Sequence, residues 1–124
     1  MSNKVSTVVI ENDIRLIDLI IEAINRTDYL IYKGYAFDVE SVEEMCSEIN
    51  AKLILLNINI GQPGFKEFSK KIKTITPDSF IVLMNLDEKK FANYYPEEKD
   101  VDGYLDLNDL FNEMTKISKY FEKS

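Results

Sequence analysis

The sequence predicts an α/β protein: a five-stranded, doubly wound parallel sheet in the order 2-1-3-4-5, with helices on both faces. Three observations predict it. Strand-like and helix-like stretches alternate along all 124 residues, which implies right-handed βαβ crossovers and a sheet covered on both sides. The first and third strand-like runs are the most apolar, as central strands are. The second is the most polar, which suits an edge.

The elements follow in order. Val5 to Ile10 is β-branched and apolar, a first strand. Leu16, Ile17, Ile20, Ile21 and Ile24 recur at helical spacing, with Asn12 or Asp13 as the N-cap. Tyr29 to Phe37 is aromatic and extended, with Gly34 as a bend. Ser41-Val42-Glu43-Glu44 fits a capping box that opens a helix carrying Val42, Met45 and Ile49. Leu53-Ile54-Leu55-Leu56 is an unbroken apolar run that stops at the amide of Asn57. Leu53 to Ile58 therefore reads as a strand buried on both faces, with Gly61, Pro63 and Gly64 turning the chain. Phe65, Phe68, Ile72 and Ile75 mark an amphipathic helix that ends before Pro77. Phe80 to Met84 is a fourth strand, ending at Asn85. Phe91, Tyr94 and Tyr95 suggest a short helix broken by Pro96, followed by a solvated Glu97-Glu98-Lys99-Asp100. Gly103-Tyr104-Leu105 is a short last strand. Leu110, Met114, Ile117 and Phe121 line the inner face of a closing helix. No repeat, linker or low-complexity tract interrupts this pattern, so residues 1–124 read as a single domain.

Composition removes several functional classes. The formal net charge is −7 and the pI about 4.6, so phosphate backbones and anionic lipid repel the chain and neither nucleic acid nor a membrane surface is expected as a partner. A single cysteine, Cys46, forbids an intrachain disulfide and reads as a small core residue within a helix. The absence of histidine rules out histidine metal sites and Ser-His or Cys-His nucleophile pairs within the chain. Met1-Ser2-Asn3-Lys4 leads straight into a strand rather than a signal peptide, and no apolar stretch is long enough to span a bilayer. A cytoplasmic protein is the expectation.

In an open α/β sheet the chemistry sits at the carboxyl ends of the strands. The residues there are Glu11-Asn12-Asp13 after the first strand, Asn57 and Asn59 after the third, and Asn85 after the fourth. Gly103-Tyr104-Leu105-Asp106-Leu107-Asn108 spans the fifth. This set, in a flavodoxin-like sheet, resembles the receiver domain of bacterial response regulators over essentially the whole chain, from Val5 to about Phe121. The resemblance places an acidic Mg²⁺-holding pair at Glu11-Asn12, where only the first acid remains. It places the phosphoacceptor aspartate at Asn57 and a metal-binding carbonyl at Asn59. A Pro-Gly-x-x-Gly loop is shortened to Gly61-Gln62-Pro63-Gly64. The Thr or Ser that bonds the phosphoryl group is Asn85, and the lysine and proline of a Gly-Tyr-Leu-x-Lys-Pro signature are Leu107 and Asn108.

These departures have chemical consequences. A carboxylate attacks phosphorus as an anionic oxygen nucleophile, whereas a neutral amide forms no comparable acyl phosphate. Mg²⁺ is held through one or two carboxylates, and Glu11 is the one acid left. Phosphoryl transfer also needs positioned positive charge, and Leu107 provides none. The losses agree with one another, because an ammonium group in a pocket stripped of acids would be left unpaired. The expectation is a degenerate phosphoacceptor pocket made of Glu11, Asn12, Asn57, Asn59, Asn85 and Leu107, with no enzymatic activity, no catalytic residues and no cofactor. Glu11 reads as a solvated carboxylate that at most holds a cation weakly with Asn59 and water. Asp13 reads as a helix cap, Asp87 as another, and Lys89-Lys90 as a solvated face.

The resemblance implies a non-catalytic, receiver-like signalling module acting through a protein partner. The expected face is built from the helix near Phe91, the last strand and the last helix, with Tyr104 either packed at the sheet edge or presented to the partner. A homodimer is left open. The chain reaches Ser124 soon after the last helix, so output is expected to come from a bound partner or a domain beyond these residues. Two other readings stand beside it. One is a phosphorylation- or Mg²⁺-responsive regulator in which Glu11, Asp13 or Asp87 substitutes for missing ligands. The other is a flavodoxin-like cofactor binder, which a first loop without glycines and carrying an acid disfavours.

Overall fold

The structure, a computed structural model of the chain, describes residues 4–57, 65–85 and 101–122, without the side chains at 39, 40, 46, 47, 65, 66 and 68. Asn59, the loop 61–64, the stretch 86–100 with Asp87, Lys89, Lys90, Phe91, Tyr94 and Tyr95, and the side chains of Cys46, Phe65 and Phe68 lie outside the described residues. Strands β1 (Val5–Ile10), β2 (Leu30–Ala36), β3 (Leu53–Asn57), β4 (Phe80–Asn85) and β5 (Gly103–Asp106) form one parallel sheet in the order β2-β1-β3-β4-β5. Helices α1 (Ile14–Asn25), α2 (Val39–Ile49), α3 (Phe65–Ile75) and α4 (Leu110–Glu122) cover it, and a 3₁₀ turn at Leu107–Asp109 leads into α4.

Alternation along the strands divides the core in two. Val8, Ile10, Ile54, Leu56, Ile81 and Leu83 face α2 and α3, where Val42 and Ile72 meet them. Val9, Leu53, Leu55, Val82, Met84 and Leu105 face α1 and α4, where Ile20, Ile24, Leu110 and Met114 close the layer. Leu53 through Leu56 are wholly buried, as a central strand covered on both faces requires. Each such side chain contributes about 1.5–3 kcal/mol relative to exposure.

The helix caps differ in part from the sequence reading. Asp13 caps α1, its carboxylate accepting from Arg15 N at 3.0 Å. For α2 the capping-box reading at Ser41 is corrected: the helix begins two residues earlier, and Asp38 Oδ1 accepts from Ser41 N at 2.9 Å. Aspartate is as good a cap as serine, and Asp38-x-x-Ser41 overlaps the Ser41-x-x-Glu44 pattern that suggested otherwise. Asn50 follows α2 with φ 55°, the left-handed position that ends many helices and that asparagine tolerates.

Gly34 marks an irregularity rather than a simple bend. Thr7 pairs with Tyr32 but Val8 with Gly34, so Lys33 is an extra residue bulged out of the ladder. The start of β5 is tied down by Asp102, whose Oδ2 accepts from Ile81 N at 2.9 Å and from Lys73 Nζ at 2.7 Å.

Candidate functional site: the strand ends at Glu11 and Asn57

Parallel register brings the site together. Val9 pairs with Leu55 and Ile10 with Leu56, so the next level along β1 and β3 holds Glu11 and Asn57. Both continue the row of Val9 and Leu55, which faces α1 and α4. Two polar side chains therefore rise from the same face of adjacent central strands, just where the apolar rows stop.

They meet directly. Asn57 Nδ2 donates to Glu11 Oε1 at 2.5 Å. The other oxygen, Oε2, accepts from the backbone N–H groups of Asn12 and Asp13 at 2.9 and 3.3 Å. Glu11 is only 2% exposed. The expectation of a solvated carboxylate at Glu11 is thereby corrected: three N–H donors converge on a buried acid. An ionised aspartate at position 57 could not make this bond, because a carboxylate accepts and cannot donate. The bond joins a neutral donor to a charge, the class worth more than a neutral pair.

The remaining expected residues are distributed around this pair. Asn12 contributes through its main chain, and its side chain is exposed. Asn85 is buried at the end of β4, one step beyond Met84, the register partner of Asn57. It continues the row of Ile81 and Leu83, which faces α2 and α3. Asn12, Asn57 and Asn85 thus share the carboxyl edge of the sheet. Leu107 is 8% exposed and belongs to the apolar layer with Leu105, Leu110 and Met114. Asp106 caps the turn that carries it, accepting from Asn108 N at 2.9 Å. Asn59 lies outside the described residues.

The donor set does not suit a Mg²⁺ site. Such an ion asks for free anionic oxygens, but both oxygens of Glu11 are engaged by N–H groups, and the Asn57 amide presents its positive end to that carboxylate. Among the described residues no three acidic, cysteine or histidine side chains group to hold a metal. Asp13, in the same loop, accepts from Arg15 N as the cap of α1.

The Glu11–Asn57 bond is the contact at this edge of the sheet that sequence reasoning missed. A signal for it exists, since β1 and β3 are apolar to the same register level and each then ends in one polar side chain. Tyr104, partly buried, packs against the apolar cluster beneath α2 and α3. It also lines a groove of about 300 Å³ between β5 and α4, with Phe80, Val82, Gly103, Ile117 and Tyr120. A Cβ at Gly103 would make ordinary contact with Val82 and Phe80 of the same groove, at 3.6 and 3.8 Å.

Neither protein-family models nor curated proteins give a match to this chain. Solved structures do. The fold is similar to the signal receiver domain of NarL from Mycobacterium tuberculosis, at TM-score 0.82 and 15% identity over 98% of both chains. It is similar to the response regulator domain of CheB from Thermotoga maritima, at 0.79 and 10% identity, again over 98% of each. The response regulatory domain of MrkE from Klebsiella pneumoniae gives 0.75 and 16% identity over 96% of this chain and 99% of that one. TM-scores of 0.75 to 0.82 over nearly the whole chain establish the flavodoxin-like receiver fold, and at identities of 10–16% they establish the fold alone.

Proposed function

We propose that this protein is a receiver-like signalling module that acts by binding a protein partner and takes no phosphoryl group at position 57. The observation that carries the reading is the hydrogen bond from Asn57 to the buried Glu11 carboxylate. In a receiver that uses the site, two acids at these strand ends repel each other unless a cation lies between them. Here the amide replaces one of them and turns repulsion into a donor–acceptor pair. Both oxygens of the Glu11 carboxylate find donors without metal or phosphate.

No cofactor and no catalytic step are part of this reading, and the location is the cytoplasm. The alternative with displaced ligands asks Glu11 or Asp13 to serve a metal or a phosphoryl group, and both carboxylates already hold main-chain N–H groups. The groove between β5 and α4, with Tyr104 at its edge, is the face offered to the partner, as the resemblance implies. Its apolar floor and aromatic wall suit an anchoring side chain.

The test is incubation with Mg²⁺ and acetyl phosphate or phosphoramidate, followed by intact mass. No phosphoryl adduct is expected. A stoichiometric adduct would overturn the reading.

A further inference from the structure

A second surface is built from α1 and β2, which share no residue with the Glu11–Asn57 group apart from the loop that joins them. β2 is an edge strand. After the bulge at Lys33, the Cβ position of Gly34 points to Met45 and Ile49 of α2, and Ala36 joins the same layer. Alternation then turns Tyr35 and Phe37 to the α1 side. They are 43% and 42% exposed, with ring centroids 5.2 Å apart. Tyr32, half-buried, packs into the layer beneath α1.

The flank of α1 toward β2 carries Ile14 and Asp18, spaced one turn apart and both exposed. Burial, with the Tyr35 hydroxyl and the Asp18 carboxylate close by, pushes the Tyr32 phenol above the ordinary tyrosine range. Asp18 makes no ion pair among the described residues, and Lys33, carried out of the ladder by the bulge, makes none with it. Three aromatic rings and an unneutralised carboxylate thus converge on one exposed flank of an acidic protein.

We propose that this flank receives a basic side chain of a partner protein, an arginine above all, laid across the Tyr35 and Phe37 rings with its charge toward Asp18. Ring faces attract a cation through their quadrupole, and a guanidinium plane stacks on them better than an ammonium does. The net charge of −7 favours the approach of a basic segment. Lys33 and the bulge discourage simple strand addition along β2, so the contact is made by side chains rather than by extending the sheet. The site is independent of whether position 57 takes a phosphoryl group.

The experiment is an NMR titration of the full chain with N-acetylarginine amide, with N-acetylleucine amide as the neutral control. The arginine probe is expected to move the Tyr35 and Phe37 ring signals and the Asp18 amide most, with an effect that shrinks as salt is raised. Tyr35→Ala and Phe37→Ala each weaken it by about 2- to 5-fold, the range for an exposed cation–ring contact. Asp18→Asn weakens it in the same direction. Unchanged ring signals of Phe80 and Tyr120 in each variant show that the fold is kept. Equal binding of the leucine probe, or arginine shifts scattered over the other carboxylates, would overturn the proposal.

Discussion

The side-chain amide of Asn57 stands 2.5 Å from Oε1 of Glu11, and that carboxylate has almost no contact with solvent. Backbone N–H groups of Asn12 and Asp13 hold the second oxygen. The carboxylate at the end of β1 is therefore met by three N–H donors and, among the described residues, by no ion pair.

Asn57→Asp removes the donor and sets a second carboxylate against Glu11. At neutral pH the variant should lose about 1.5–3 kcal/mol, the worth of a hydrogen bond to a charged group. Repulsion from Glu11 raises the new acid's folded pKa above its unfolded value. The sign follows: the penalty is absent below the unfolded pKa, grows as pH rises, and is complete above the folded pKa. Urea unfolding at pH 7 and near pH 4 checks it, and an equal loss at both would contradict the coupling.

Glu11→Gln keeps the shape but removes the charge and one acceptor oxygen, so its N–H₂ must face either the Asn57 amide or the Asn12 and Asp13 N–H groups. A loss of about 1–3 kcal/mol is expected. Millimolar Mg²⁺ should leave the melting temperature of the native protein almost unchanged, since a ligand present at its Kd adds only about 0.4 kcal/mol. Thermal unfolding with and without Mg²⁺ measures both effects. A rise of many degrees that disappears in Glu11→Gln would mean that the acid holds a metal after all.

Leu107→Lys, the change that would restore a receiver's lysine, should instead destabilise by about 2 kcal/mol or more. Leu107 sits in the apolar layer with Leu105, Leu110 and Met114, and a lysine there must bury its charge or pull its stem out of the layer. Denaturant midpoints of the single variant decide it. The triple variant Asn12→Asp, Asn57→Asp, Leu107→Lys should still resist acetyl phosphate, because a lysine at 107 begins inside the apolar layer of Leu105, Leu110 and Met114.

Asp38 governs the start of α2. The Ser41 backbone N–H, then its hydroxyl, hold the Asp38 carboxyl below the usual carboxylate range. A lowered folded pKa contributes stability that is present above the unfolded pKa and is lost as pH falls through the folded value. Asp38→Ala should therefore be less stable than the native chain at pH 7, with the difference closing in acid. Thermal melts across pH 2–7 test it, and a constant offset would point to a cap that does not depend on charge.

Local pattern carried far in this chain. The apolar runs at Val8-Val9-Ile10, Leu53 to Leu56 and Phe80 to Met84 mark three central strands without any knowledge of contacts, because burial on both faces leaves no room for polar residues. The turn residues and amide ends fix where each strand stops, and the polar β2 finds its place at the edge. Isoleucines at helical spacing likewise define the buried side of α1, and Asp13 caps it as the sequence suggests. Asp38 escaped notice because two overlapping cap patterns, three residues apart, are equally good locally and differ only in which residue the chain's entry into α2 favours. Glu11 and Asn57 escaped for a deeper reason. They are forty-six positions apart, and their meeting depends on a β1–β3 register that is a property of the assembled sheet. Leu107 is of the same kind: its residue type predicts the lost cation, but its burial in the layer with Leu105, Leu110 and Met114 is set by the packing of β5 against the last helix. Residue identities can show that a charge or a donor is missing. Which atom fills its place is set by long-range pairing and burial, and these exist once the sheet has closed.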